Sequence, residues 1–122
     1  MDKFDKWLKD FGSAWENLNP DAAMSMFSKD ELEYFETVFD KPCTNWDEVY
    51  KLWEIIPINQ KDVKFWSEIL MFDGSRAIVH WKVKRVFIQT NKNQLIDGIF
   101  EIKLNPEGLC TYFKQWRSVK ES

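Results

Sequence analysis

The 122-residue chain is 44% hydrophobic and 30% charged, with a net charge of −3, the balance of one globular domain long enough to bury roughly two-thirds of its unfolded surface. Residues 1–60 carry 13 acidic against 6 basic residues and residues 61–122 carry 7 against 11; that mild excess in the second half falls short of the dense Lys/Arg stripe of a nucleic-acid reader, so no nucleic acid is expected as partner. Cys43 and Cys110, without CxxC spacing and beside a single histidine, do not make a zinc set, and no apolar run approaches the roughly 20 residues of a membrane span.

The opening "MDKFDKWLKD" has no basic segment leading into an apolar core, so the expectation is a soluble, cytoplasmic protein. From Phe4 to Leu18 the apolar residues Phe4, Trp7, Leu8, Phe11, Trp15 and Leu18 follow the i, i+3, i+4, i+7 series of one helical face. A second, short helix is predicted after Asn19, a capping residue, with Pro20 at the first helical position, where its missing N–H needs no partner. "LEYFETVF", residues 32–39, reads as a strand by its aromatic and β-branched content, although Ser28 and Glu31 offer the alternative of a capping box. Asn45 caps a third predicted helix, with Trp46, Val49, Tyr50, Trp53 and Ile56 on one face until Pro57 ends it.

Beyond Pro57 the helical period disappears. Residues 62–72, 76–90, 94–104 and 109–119 are four long strand-like runs parted by Asp73-Gly74, Asn91-Lys92-Asn93 and Asn105-Pro106-Glu107-Gly108, which predicts an antiparallel meander. Three helices ahead of four strands make an α+β domain whose helices cover one face of a bent sheet. Alternation sorts the faces. Ile96, Gly98, Phe100, Ile102 and Leu104 face the helices; Ala77, Val79, Trp81 and Val83 form one set of their strand and Ile78, His80, Lys82 and Lys84 the outer one. Residues 62–72 do not alternate cleanly and look apolar on both sides. The outer face therefore needs a cover, and a second copy of the same sheet supplies one, so a homodimer through the outer faces is expected.

The order of elements, with "NPDA" opening the second helix and strands carrying "FDGSRAIVHW", "DGIFEIKLNPEG" and "YFKQW", resembles the nuclear transport factor 2-like superfamily, especially its SnoaL-like and ketosteroid-isomerase-like branch. The likeness spans nearly the whole chain, taken as one domain over residues 1–122. It implies a cone-shaped α+β barrel, three N-terminal helices packed in the concave face of a curved, mostly antiparallel sheet around a deep apolar pocket, commonly dimeric. The same frame serves isomerases, dehydratases, epoxide hydrolases, cyclases and non-enzymatic binding proteins, so the fold does not settle the activity.

By that resemblance, the tyrosine, the aspartate base and the protonated aspartic acid of steroid isomerases fall at Phe11, near Phe35 and at Phe100. A phenyl ring neither donates to a developing oxyanion nor accepts a proton, which removes steroid-isomerase chemistry in its usual form. The Asp/Arg/Asp set of the epoxide-opening branch and the dehydratases' His/Asp dyads have no evident counterpart.

Four residues remain as candidate acids or bases. Glu36 adjoins Phe35. His80 has a near-neutral intrinsic pKa but lies on the outer face by parity, unless the register shifts. Asp97 also points outward unless a bulge at Gly98 turns it in, and Glu68 is either an inward acid or a solvated edge residue.

The aromatic load of seven Trp, ten Phe and three Tyr exceeds the needs of a core this size and suits the wall of a cavity or an interface. Phe11, Trp15, Phe35, Trp53, Trp66 and Phe100 are expected in that wall with Trp81 and Trp116, and Tyr50, Tyr112, Lys114 and Gln115 on its rim. A hydrophobic small molecule is the expected ligand, with no cofactor and no metal; a non-catalytic binding or protein-interaction domain is the alternative.

Overall fold

The computed structural model describes residues 2–122. Helix α1 spans Asp2–Glu16, α2 Pro20–Met24 and α3 Trp46–Asn59. Strand β1 is Glu33–Phe35, β2 Gln60–Asp73, β3 Arg76–Phe87, β4 Lys92–Leu104 and β5 Cys110–Glu121. The strands form one curved sheet in the order β1-β5-β4-β3-β2. Its last four strands are an antiparallel meander, and β1 joins parallel to β5.

The helical starts follow their caps. Asn19 Oδ1 accepts from the N–H of Ala22 at 3.1 Å and Asn45 Oδ1 from that of Asp47 at 2.7 Å, in each case satisfying a donor that the first helical turn leaves free. Ser28 caps no helix: its Oγ accepts from Asp30 and Glu31 N–H, both at 3.2 Å, inside a turn. Helix α3 runs through Pro57 to Asn59, two residues past the predicted stop. Pro57 stands in the last turn, where a single lost hydrogen bond ends the helix soon rather than breaking it midway. The predicted strand at 32–39 pairs over only three residues, because the chain doubles back after Phe35 and Tyr34 exchanges both backbone hydrogen bonds with Cys43, at 2.9 and 2.8 Å.

The apolar face of α1 lies in the concave side of the sheet, with Phe4, Trp7, Leu8 and Phe11 all under 5% exposed. Each such side chain contributes about 1.5–3 kcal/mol by leaving water. Close approach of α1 to β2 depends on Gly12, since a Cβ there would lie 2.6 Å from the Phe65 ring.

Two register shifts in β2, between Lys61 and Lys64 and between Ile69 and Met71, explain its mixed pattern. Phe65 and Ile69 face inward before the second bulge; after it Phe72 turns in to meet Phe4 edge-on at 5.7 Å, while Met71 faces out at 71% exposure. A bulge adds one residue and so inverts the alternation beyond it. Among the described residues no helix is long and apolar enough to cross a membrane.

Candidate functional site

Residues of all five strands and two helices line a cavity of about 260 Å³, just under the roughly 300–1,000 Å³ of common ligand clefts and therefore suited to a small molecule. Phe11, Trp81, Phe100 and Phe113, none above 1% exposed, form its floor. Trp81 lies flat on Phe100, centroids 4.6 Å apart, and Phe11 meets Phe100 edge-on at 5.8 Å. Trp15 and Trp53 close one side. The mouth is polar, made by Glu36, Arg85, Gln115 and Arg117.

Alternation puts those mouth residues there. β1 pairs Tyr34 with Phe113 and Phe35 with Lys114, so Tyr34 stacks inward on Phe113 at 4.9 Å and Phe35 turns out against Tyr112 and Lys114. Glu36, one residue on, lines the cavity. On β5 a bulge beside Lys103 and Leu104 places both Cys110 and Phe113 inside, and alternation from Phe113 brings Gln115 and Arg117 inward with it.

Glu36 is held loosely: Arg117 Nη1 approaches its Oε1 at 3.4 Å and Gln115 Nε2 donates to its Oε2 at 3.4 Å. Burial pushes the Tyr34 hydroxyl well above its ordinary pKa, the Glu36 charge adds to the shift, and the Trp53 indole opposes it. The Trp53 N–H nevertheless lies outside hydrogen-bond geometry. Together with the Trp81 N–H it is a buried donor without a partner.

Of the four candidate acids and bases, the structure brings only Glu36 to this cavity. His80, Asp97 and Glu68 cluster on the opposite, outer face. His80 Nε2 lies 2.9 Å from Asp97 Oδ1, and Glu68 pairs with His80 across β2 and β3. No bulge interrupts β3 and β4, which stay in register from Arg76–Lys103 to Phe87–Lys92, so Asp97 is not turned inward by Gly98. A His/Asp pair thus exists, but outside the cone.

Of the ten aromatic residues expected in the wall or on its rim, Phe11, Trp15, Trp53, Trp81 and Phe100 line the cavity. The other five do not. Phe35, Tyr112 and Trp116 fall on the outward parity of β1 and β5; Trp66, before the bulge, points outward under Lys82 and beside His80. Tyr50 lies on the outer side of α3, where its hydroxyl bonds Asp21. Sequence reasoning missed Arg85, Phe113 and Arg117. Their signal was strand parity, which a correct placement of the β5 bulge would have supplied for Phe113 and Arg117.

A second groove, of about 560 Å³, lies on the outer face, lined by Trp66, Lys82, Leu95, Asp97 and Ser118 among others. It is set apart from the aromatic floor by the sheet itself.

No protein-family model matches the sequence, and no curated protein matches it. Solved structures do. An epoxide hydrolase/cyclase-like enzyme, SalBIII, of pyran-ring formation in the polyether salinomycin superposes with a TM-score of 0.85 at 12% identity, over 99% of this chain and 97% of that one. A nuclear transport factor 2-like protein from Exiguobacterium sp. 255-15 gives 0.74 at 16% identity, over 95% and 98%. The fold is the nuclear transport factor 2-like cone. An LEH-like epoxide hydrolase of M. tuberculosis also shares this cone, with a TM-score of 0.70 at 15% identity, over 93% of this chain and 80% of that one. The aromatic-floored cavity lies inside this curved sheet.

Proposed function

We propose that the chain is one SnoaL-like domain, residues 1–122, which binds a small apolar, ring-bearing molecule in the cone and acts on it by cofactor-free proton transfer, as a lyase, isomerase or cyclase. One observation carries this reading: an aromatic-floored cavity whose lining contains a single carboxylate, Glu36. Bonded by Arg117 and Gln115, that carboxylate is suited to accept a proton from a bound ligand. The unpartnered Trp53 and Trp81 N–H groups are suited to an oxygen that gains negative charge as the proton leaves. The likeness to a cyclase-like enzyme of pyran-ring formation supports the same class of chemistry.

The test is hydrogen exchange from small ring ketones in heavy water. Glu36→Gln should slow exchange by about 100-fold or more, the usual contribution of a positioned base, while ligand-induced thermal stabilisation persists. A ligand at about 100 times its dissociation constant adds about 2.7 kcal/mol of stability. Exchange unaffected by Glu36→Gln removes the catalytic reading.

A second reading, a non-catalytic binding domain, is favoured by Phe11 and Phe100, which occupy the floor where proton-transfer relatives are expected to carry polar groups. Stabilisation by ligands with no exchange above background would select it. In either case we propose pairing with a second copy through the outer sheet face, where Trp66, Met71, Leu95 and Trp116 are 39–71% exposed.

A further inference from the structure

The mouth of the cavity holds two guanidinium groups and one carboxylate. Glu36 is engaged by Arg117 and Gln115. Arg85 gives only its Nε to Gln94 Oε1, at 2.8 Å, and the amide of Gln94 is itself bonded to Glu121 at 2.9 Å. Among the described residues no carboxylate pairs with Arg85. It is nevertheless half-buried, and burial pulls its pKa below the ordinary arginine value, with the Arg117 charge adding to that and Glu36 opposing. A guanidinium kept partly from water beside a second one is costly unless an anion joins them.

The neutral groups point the same way. Trp7, Trp15 and Trp46 each donate their indole N–H, to Met26 O, Gln60 Oε1 and Met24 O at 2.9–3.1 Å. Trp53 and Trp81, both in the cavity wall, donate to nothing. Buried donors without partners are rare in native proteins. The Gln60 acceptor is taken by Trp15 and the Glu36 acceptors by Arg117 and Gln115. The fully buried polar groups of this cavity that lack a partner are both donors, and beside them Arg85 has no carboxylate partner.

Resting on the cavity reading above, we infer that the ring-bearing ligand has an apolar body and one anionic end, a small carboxylate whose ring packs on Phe100 and Trp81 and whose carboxylate bridges Arg85 and Arg117. The planar, forked guanidinium matches a carboxylate in a way a lysine would not, and a cavity of about 260 Å³ has room for one or two fused rings.

The probes are 2-naphthoate and the neutral naphthalene-2-methanol, titrated by calorimetry and by quenching of tryptophan fluorescence. Naphthoate should bind at least about tenfold more tightly than the alcohol, the scale of one charge-assisted hydrogen bond. Arg85→Gln with Arg117→Gln should erase that preference, so that the two probes bind alike, and Arg85→Lys in place of Arg85→Gln should restore only part of it. Melting curves of each variant confirm folding. Equal binding of the two probes by the unaltered protein, or a preference that survives both glutamines, overturns the anion inference and leaves the apolar pocket standing. Binding of neither probe at millimolar concentration overturns both.

Discussion

Trp81 and Gly98 stand directly opposite each other on β3 and β4, and the indole covers the glycine so closely that a Cβ there would lie 2.8 Å from Trp81 Nε1 and 2.2 Å from the Trp116 carbonyl oxygen. The missing side chain is what lets a fully buried indole lie flat on Phe100. Gly98→Ala should therefore force Trp81 and β5 apart, costing about 1–3 kcal/mol or more by overpacking. Urea denaturation reads the loss, and a wild-type midpoint in the alanine variant would refute this packing account.

Phe11 is the hub of the aromatic floor, meeting Trp7, Trp53, Phe100 and Phe113 at centroid distances of 4.9–5.8 Å. Phe11→Ala should destabilise the fold by about 3–5 kcal/mol, the cost of a large buried ring and the void it leaves. A loss under about 1 kcal/mol, measured by thermal and chemical melts, would mean that the cavity collapses readily around it.

Tyr34 titrates in the alkaline range. Its folded pKa is raised well above 10.0 by burial and then by Glu36, so the fold favours the neutral, protonated form. The resulting stability is fully present below the unfolded value of about 10 and is lost as pH climbs through and beyond it. Stability measured from pH 9 to 11 should decline above about pH 10, and Tyr34→Phe should flatten part of that decline. An identical pH profile for the variant would contradict this assignment.

The two thiols should react separately. Burial pushes the Cys110 thiol far up, and it is fully buried. Cys43 is partly exposed, its pKa raised from 9.0 by burial and then by Glu48, Glu36 and Asp40. A thiol reagent at pH 8 should label Cys43 alone in the native protein, more slowly than a free cysteine because less thiolate is present. Cys110 should follow only in denaturant, and rapid native labelling at Cys110 would show that the core opens.

The outer face should hold a second copy. Light scattering at micromolar concentration should return twice the 14.7 kDa chain mass, and Trp116→Lys should return the monomer by placing a charge in an apolar contact. A monomeric mass for the unaltered protein excludes pairing through this face.

Local chemistry made much of the fold legible. The α1 stripe from Phe4 to Trp15, the Asn19 and Asn45 caps and the four long runs after Pro57 are properties of neighbours in sequence, and propensity and periodicity report such neighbours directly. The same parity set Trp81 and Phe100 inward and His80 outward, because β3 and β4 pair without interruption. Where a bulge intervenes, parity fails. Trp66 and Trp116, expected in the wall, and Tyr112, expected on its rim, lie outside, since the shifts in β2 and β5 are settled by pairing with another strand and leave no local mark.

The cavity's chemistry was the least legible part. Glu36, Arg85 and Arg117 come from β3, β5 and the turn after β1, up to 81 residues apart, and no spacing along the chain brings them together. Neighbours along the chain dictate the helices, the long strands and the apolar faces of the uninterrupted elements, because burial and backbone preference act through adjacent residues. That one carboxylate and two guanidiniums share the mouth of the cone, and that two indole N–H groups in its wall have no partner among the described residues, follows only from the folded chain, because meeting in space depends on register and sheet order rather than on local pattern.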